Sequence, residues 1–327
     1  MLTIIVPAHR ADAAFERCLA ALVPVASTTP VIVVDDGSPS AEVSRRAQAL
    51  GFSTRRHEQS RGPSAARNLG AQAATTPLLL FVDADCVVRP DVATRVVAAF
   101  EARPGVDALF GSYDTEPAAP QFVSQFKNLT HHYTHQRARE EAFSFWAGCG
   151  AVRRERFLAL GGFSERYGRP CIEDIEFGYR LRAAGGRIAV VKDLQVTHLK
   201  RWTLAGLVWT DVFDRGVPWT ELILEHPGMT AGDLNLSAGP RSALMLTWLA
   251  LDALFLSVWW PTLGWTAPLL LVAALVPGRR YFAWLAEVRG WAFAAKAVPL
   301  HLLYQLYSGV AALIGLGRHV LGLPTRR

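Results

Sequence analysis

The sequence predicts an α/β protein with a mostly parallel sheet, followed by helices that lie on and in a membrane. Three observations predict it. Short apolar runs alternate with helical patterns from the first residues to about residue 85. Acidic residues stand at the ends of those runs. Beyond about residue 241 the chain turns rich in Leu, Ala, Val and Trp.

The first run, Leu2 to Ala8, reads as an opening strand ended by Pro7. Residues 12–23 then carry Phe15, Leu19, Leu22 and Val23 at helical spacing, and residues 40–50 repeat this more weakly. Between them, Val31-Ile32-Val33-Val34-Asp35-Asp36-Gly37-Ser38 is a strand that ends in two acids and a turn. Leu78-Leu79-Leu80-Phe81-Val82 is a buried strand leading into Asp83-Ala84-Asp85. Residues two apart on a strand share a face, so the two carboxylates are expected to converge around a cation. Mg²⁺ or Mn²⁺ commonly joins one or two carboxylates to phosphates. Ligands of parallel sheets gather at the carboxyl ends of strands. Pro7, Asp36, Asp83 and Asp85 all fall there.

Ile4-Ile5-Val6-Pro7-Ala8, Val33 to Ser38, Gly62-Pro63-Ser64-Ala65-Ala66-Arg67-Asn68-Leu69-Gly70 and Phe81 to Asp85 are followed by Gly161-Gly162-Phe163 and Glu173-Asp174-Ile175-Glu176. In this order, over about residues 1–202, they resemble glycosyltransferase family 2. The resemblance implies a GT-A-type, Rossmann-like sheet and an inverting transfer from a nucleotide-diphosphate sugar. It implies that Pro7 and Ala8 wall the nucleobase and that Asp36 accepts a hydrogen bond from it. Arg67 and Asn68 would lie near the nucleotide, and Asp83 and Asp85 would hold ribose and metal-bound diphosphate. Asp174, with Glu173 beside it, matches the catalytic base. His198 lies where some members supply a further metal or diphosphate contact.

Each role has a structural alternative. Asp36 before Gly37-Ser38 also suits a turn. Arg67 also suits a solvated helix face, and Asp174 the first turn of a helix. An acceptor hydroxyl needs a base within reach, whereas a polyprenyl phosphate is already ionised. The Glu173-Asp174 pair therefore favours a hydroxyl acceptor, with polyprenyl-phosphate transfer and a catalytically silent scaffold as alternatives.

Residues 145–163 are expected to shape the acceptor side, with Trp146 beside Gly148. The stretch 117–141 reads as a flexible loop, and His131, His132 and His135 within it lack zinc spacing. Processive members of the family carry a Q-x-x-R-W motif. Here His198-Leu199-Lys200-Arg201-Trp202 keeps Arg201 and Trp202 with His in place of Gln. That departure favours one sugar per binding event.

The expected organisation is a catalytic domain at 1–202, an interfacial amphipathic connector at 203–240 and membrane-embedded helices at 241–327. A mean hydropathy of +0.18 conceals the shift. Residues 242–263 suit a span of about 20 residues, interrupted by Asp252. That acid is expected to face protein or water. Trp259, Trp260 and Trp265 suit an interface. Residues 266–277 and 291–317 are further multi-pass or re-entrant candidates, and such helices offer a surface for pairing with a second copy.

The net charge of +6 suits an anionic membrane, and no nucleic-acid-binding pattern accompanies it. Arg279, Arg280, Arg289, Arg318, Arg326 and Arg327 favour a cytosolic side. The opening strand lacks the features of a signal peptide, so the catalytic domain is expected at the cytosolic face of the inner membrane. Partners are then a nucleotide-sugar donor and a lipid or lipid-linked acceptor. Cys18, Cys86, Cys149 and Cys171 suggest neither a disulfide framework nor a metal site. Cys86, next to the acidic pair, is expected to sensitise the protein to thiol reagents.

Overall fold

The computed structural model describes residues 1–228 and 238–323. They fall into two compact units, Met1–Trp202 and a second beginning at Thr203.

The first unit opens with β1 (Leu2–Ala8), α1 (Ala13–Ala26), β2 (Val31–Asp36), α2 (Glu42–Ala49), β3 (Ser53–His57), α3 (Pro63–Ala73) and β4 (Leu78–Val82). Asp12 starts α1 by accepting hydrogen bonds from the Ala14 and Phe15 backbone N–H groups at 3.0 and 3.1 Å. Pro63 starts α3, where a missing N–H costs nothing. Pro7 is tolerated inside β1 because pairing with β4 stops at Ile5, leaving only the β2 side laddered that far.

The chain continues with β5 (Cys86–Val87), α4 (Val92–Glu101), β6 (Ala108–Tyr113), α5 (Phe122–Arg137), β7 (Glu141–Ala142), β8 (Cys149–Arg153), α6 (Arg154–Ala159), α7 (Glu173–Ala183) and β9 (Ile188–His198). The described strands form one sheet in the order β3-β2-β1-β4-β8-β6-β9-β5, with β7 also on β9. β3, β2, β1 and β4 are parallel, and β8 enters antiparallel between β4 and β6. The expected alternation of strand and helix is observed, and β1, β2 and β4 are buried on both faces while the edge strand β3 is largely exposed. Gly70 permits this packing, since a Cβ there would lie 2.5 Å from Ile5.

Residues 117–141 are not a loop. Most of the stretch is α5, whose Phe126, Leu129, His132 and His135 are buried along one face. The polar composition hid the helix because its inward face is partly histidine. Nδ1 of His132 is 2.7 Å from the Tyr113 carbonyl, and Nδ1 of His135 is 2.9 Å from that of Gly111.

In the second unit α8 (Leu204–Trp209) runs through a π-helical turn (Thr210–Gly216) into α9 (Val217–Glu225). Val212 and Val217 pack on Tyr307 and Ala311 of a later helix, while Leu204 and Trp209 remain exposed. Residues 229–237 of the expected connector lie outside the described residues. Then follow α10 (Ala238–Leu256), α11 (Thr266–Leu275), α12 (Arg279–Arg289) and α13 (Trp291–Val320). Two helical stretches, Pro261–Arg289 and Trp291–Val320, are long and apolar enough to cross a membrane. The expected span 242–263 is not one of them. Its helix ends at Leu256, before Pro261, and carries Arg241 and Asp252. Asp252 is exposed on α10. Buried polar pairs hold the unit together: Tyr307 donates to Asp211 at 2.9 Å, and Arg318 to Glu221 at 2.6 Å.

Candidate active site

The site forms where β4 hands over to β5. Asp83 to Cys86 make a turn, closed by the Cys86 N–H donating to the Asp83 carbonyl at 2.9 Å. The strand alternation expected for Asp83 and Asp85 therefore does not apply, and the two carboxylates take different partners. β5 pairs antiparallel with β9 so that Cys86 faces His198, and Leu199 N donates to Asp85 O at 2.8 Å. This register puts Asp85 Oδ2 3.5 Å from His198 Nε2. Burial works to raise the Asp85 pKa, but the hydrogen bond and charge of His198 outweigh it and hold the carboxyl below its usual range. The His198 ring is itself held, stacked on Tyr113 with centroids 4.1 Å apart.

Asp83 points the other way. Its Oδ1 accepts from Arg67 Nη2 at 2.6 Å. Arg67 Nη1 donates to Glu173 Oε1 at 2.8 Å. Arg67 is 5% exposed, so it is neither a solvated helix charge nor a freely reaching one. Burial opposes its charge, yet Asp83 and Glu173 keep it firmly protonated. The other Glu173 oxygen accepts from Cys171 N at 2.9 Å. Glu173 is buried with both oxygens engaged and acts as a brace. Asp174 also accepts through both oxygens, its Oδ1 from Ile175 N at 2.9 Å, but it is partly exposed and so can exchange a proton.

Asp174 lies in the first turn of α7, partly exposed. Its Oδ2 accepts from the Ala147 N–H at 3.0 Å. Burial pushes its pKa up to about 7, and the charge of Glu173 adds to the shift. The Ala147 hydrogen bond and Arg67 oppose it. The adjoining Gly148 carbonyl accepts from Asp83 N at 3.3 Å, so the loop 145–150 ties the two acids together. Gly148 is required there, because a Cβ would lie 2.4 Å from the Trp146 ring folded over it.

Asp36 is 4% exposed, and its carboxylate already has four partners: Arg61 N, Gly62 N, Ser60 Oγ and His57 Nδ1. These bonds organise the turn 57–62, and burial's upward push on its pKa is outweighed by them. Accepting from a base would require displacing one. Asn68 is likewise engaged. Its Oδ1 accepts from Phe163 N and its Nδ2 donates to Phe163 O, both at 2.9 Å, pinning the turn at Gly161-Gly162. Pro7 and Ala8 are buried at the end of β1. Trp202 is buried with its backbone N–H donating to Ser124 Oγ at 2.8 Å, while Arg201 is exposed. Lys200 Nζ stands 4.1 Å over the Trp202 ring.

Sequence reasoning missed Tyr113, the brace formed by Arg67 and the histidine-lined floor. Trp146 packs edge-on to Tyr113 at 4.9 Å and to His135 at 5.1 Å. His131 and His135, four apart beside Phe126 and Leu129, were the available helical signal. The expectation for Cys86 is corrected. The thiol is fully buried, and burial raises its pKa well above the ordinary value, which makes it a poor nucleophile.

Asp85 and His198 offer one oxygen and one nitrogen donor, a pair better suited to Mn²⁺ than to Mg²⁺, which prefers oxygen alone. Among the described residues no three His, Cys, Asp or Glu side chains converge on a metal position. The residues thus fit a divalent ion held by two protein groups and completed by phosphate oxygens or water.

The sheet, its inserted antiparallel strand and this acid cluster define a GT-A glycosyltransferase fold. Mannosyltransferase PcManGT from Pyrobaculum calidifontis, solved with GDP-Man and Mn²⁺, aligns over 99% of this chain and 88% of its own, with TM-score 0.53 and 19% identity. GalNAc-T7, solved with UDP, GalNAc and Mn²⁺, aligns over 74% of this chain and 53% of its own, with TM-score 0.50 and 15% identity. Residues 3–160, within the first unit, match the family model Glycosyl transferase family 2. Among curated relatives, an uncharacterized glycosyltransferase of Haemophilus influenzae is 28% identical over 188 residues, 55% of this chain and 62% of the relative. A pre-mycofactocin glycosyltransferase of Mycobacterium tuberculosis is 27% identical over 268 residues, 75% of this chain and 52% of the relative. Validoxylamine A glucosyltransferase of Streptomyces hygroscopicus subsp. limoneus is 24% identical, over 59% of this chain and 50% of its own. This chain therefore spans about half to three-fifths of the length of these relatives.

Proposed function

We propose that the protein is an inverting glycosyltransferase that moves one sugar from a nucleotide-diphosphate sugar, a UDP-sugar in the first instance, to an acceptor hydroxyl. The observation that carries this reading is Asp174. A carboxyl with a pKa of about 7, in a family 2 domain and beside a braced acid cluster, suits a general base at neutral pH. Asp174 takes the acceptor proton as the hydroxyl attacks the anomeric carbon from the face opposite the leaving diphosphate. Asp85 and His198 would hold the divalent cation, which supplies Lewis-acid stabilisation of the departing charge. Arg67 keeps Asp83 and Glu173 in place, and Trp146 lies at the acceptor side. That two proteins of the same fold were solved with a nucleotide and Mn²⁺ supports including the cation.

The reading extends to the second unit. Its two apolar helical stretches support attachment to the cytosolic membrane face, where the acceptor would be a lipid or lipid-linked saccharide. A catalytic domain at 1–202, a connector at 203–240 and membrane-associated helices from 241 remain the working organisation.

The test is nucleoside-diphosphate release by detergent-purified protein with Mn²⁺, across UDP-, GDP- and dTDP-sugars with native membrane lipids as acceptor. Turnover of one donor, lost in Asp85→Ala and Asp174→Asn, is expected. No turnover with any donor, together with no Mn²⁺-dependent UDP binding, would leave the scaffold alternative standing.

A further inference from the structure

The second unit contains a helical hairpin whose polarity is graded along its length. α10 and α11 pack antiparallel. At its base a Cβ on Gly239 would lie 3.7 Å from Pro277, and at its tip one on Gly264 would lie 3.4 Å from Ser257. Arg241, Arg279 and Arg280 cluster in sequence about the base, all exposed. Trp259, Trp260 and Trp265 form the tip, and Trp265 is 80% exposed. Between them Met245, Leu249, Phe255, Leu269 and Val272 face outward, with Leu269 70% exposed.

A soluble surface rarely leaves such a contiguous apolar patch open. A second copy could cover the sides, but it would give no reason for cations at one end and tryptophans at the other. A lipid bilayer accounts for both. Arginines are drawn to anionic headgroups, and tryptophans are favoured where apolar and polar layers meet. The 19 residues of α10 run about 28 Å, close to the hydrocarbon thickness of about 30 Å.

We propose that the α10–α11 hairpin embeds in an anionic bilayer, with Arg241, Arg279 and Arg280 in the headgroup layer and the tip tryptophans at the far boundary of the hydrocarbon layer. This rests on the membrane attachment read above and adds its orientation and lipid preference. Asp252 lies on the same outward face as Met245 and Leu249, so it opposes insertion as a carboxylate.

The experiment is binding of the full chain to phosphatidylcholine vesicles with or without phosphatidylglycerol, at low and high salt, and with acyl-brominated lipids as tryptophan quenchers. The wild type is expected to prefer the anionic vesicles and to be quenched. The triple change Arg241→Ser, Arg279→Ser and Arg280→Ser should reduce the preference roughly tenfold or more and remove its salt dependence. The triple change Trp259→Ser, Trp260→Ser and Trp265→Ser should keep the preference and lose most of the quenching. Asp252→Asn, a conservative change that keeps the fold testable, should tighten binding several-fold. Equal binding to both vesicles, or undiminished quenching in the tryptophan variant, overturns the proposal. So does hairpin-dependent dimerisation without vesicle binding. Donor turnover is read in parallel. Sugar transfer without the expected lipid response sinks the hairpin assignment alone, whereas absent turnover with intact lipid response sinks the transferase reading alone.

Discussion

Asp83 and Glu173 are joined by one side chain. Arg67 reaches Asp83 at 2.6 Å and Glu173 at 2.8 Å, so the turn after β4 and the start of α7 share a buried guanidinium. Asp83, which opens the turn into β5, and Glu173, beside Asp174, are thereby held at a set separation.

Removing that guanidinium leaves two carboxylates with no shared cation. Arg67→Ala is expected to cost about 3–5 kcal/mol, the range for breaking a buried ion pair. Arg67→Lys keeps the charge but loses the planar fork. It should recover part of the stability while leaving kcat depressed. Denaturant unfolding together with steady-state kinetics reads both.

Asp174 sets a pH dependence. Its folded pKa, about 7, lies above the ordinary 3.8, so between those values the folded chain binds more protons than the unfolded one. Stability conferred through this group is present below the ordinary value and is lost as pH rises through about 7. Transfer activity runs the other way and should rise with pH through the same region. Asp174→Asn should abolish the rise and raise Tm at pH 8 but not at pH 4. A Tm gain of equal size at both pH values would contradict this account.

Asp36 is the place where base recognition and loop support make different predictions. An amide can offer only one oxygen to the four donors around Asp36, so Asp36→Asn should lower stability by about 1–3 kcal/mol. A rise in donor KM with unchanged Tm would instead favour direct contact with the nucleobase.

Cys86 should resist reagents despite its position. Thiol titration of the folded protein is expected to leave it unmodified, with full reaction only after denaturation. Inhibition by a reagent traced to Cys86 in the folded chain would show that the site opens.

Local physics made much of this protein legible from its residues. Apolar runs marked β1, β2 and β4, since a buried parallel strand must be apolar on both faces. The motifs from Pro7 to Asp174 pointed to the family, and the sharp turn to Leu, Ala, Val and Trp marked the second unit. What local pattern could not supply were relations between distant segments. The two-residue β5 is too short to show periodicity, yet its pairing with β9 is what brings His198 to Asp85. From its sequence Arg67 reads as a residue near the nucleotide or as a solvated helix charge, because the partners that brace it lie 16 and 106 positions away. The acidity of Asp174 depends on burial, which no spacing reveals. Sequence by itself determined the strands β1, β2 and β4, the candidate acids and the apolar tail, because those follow from each residue's own chemistry. Tertiary structure alone decided which acids are braced and which remains able to exchange a proton, because electrostatics depends on distances that only packing sets.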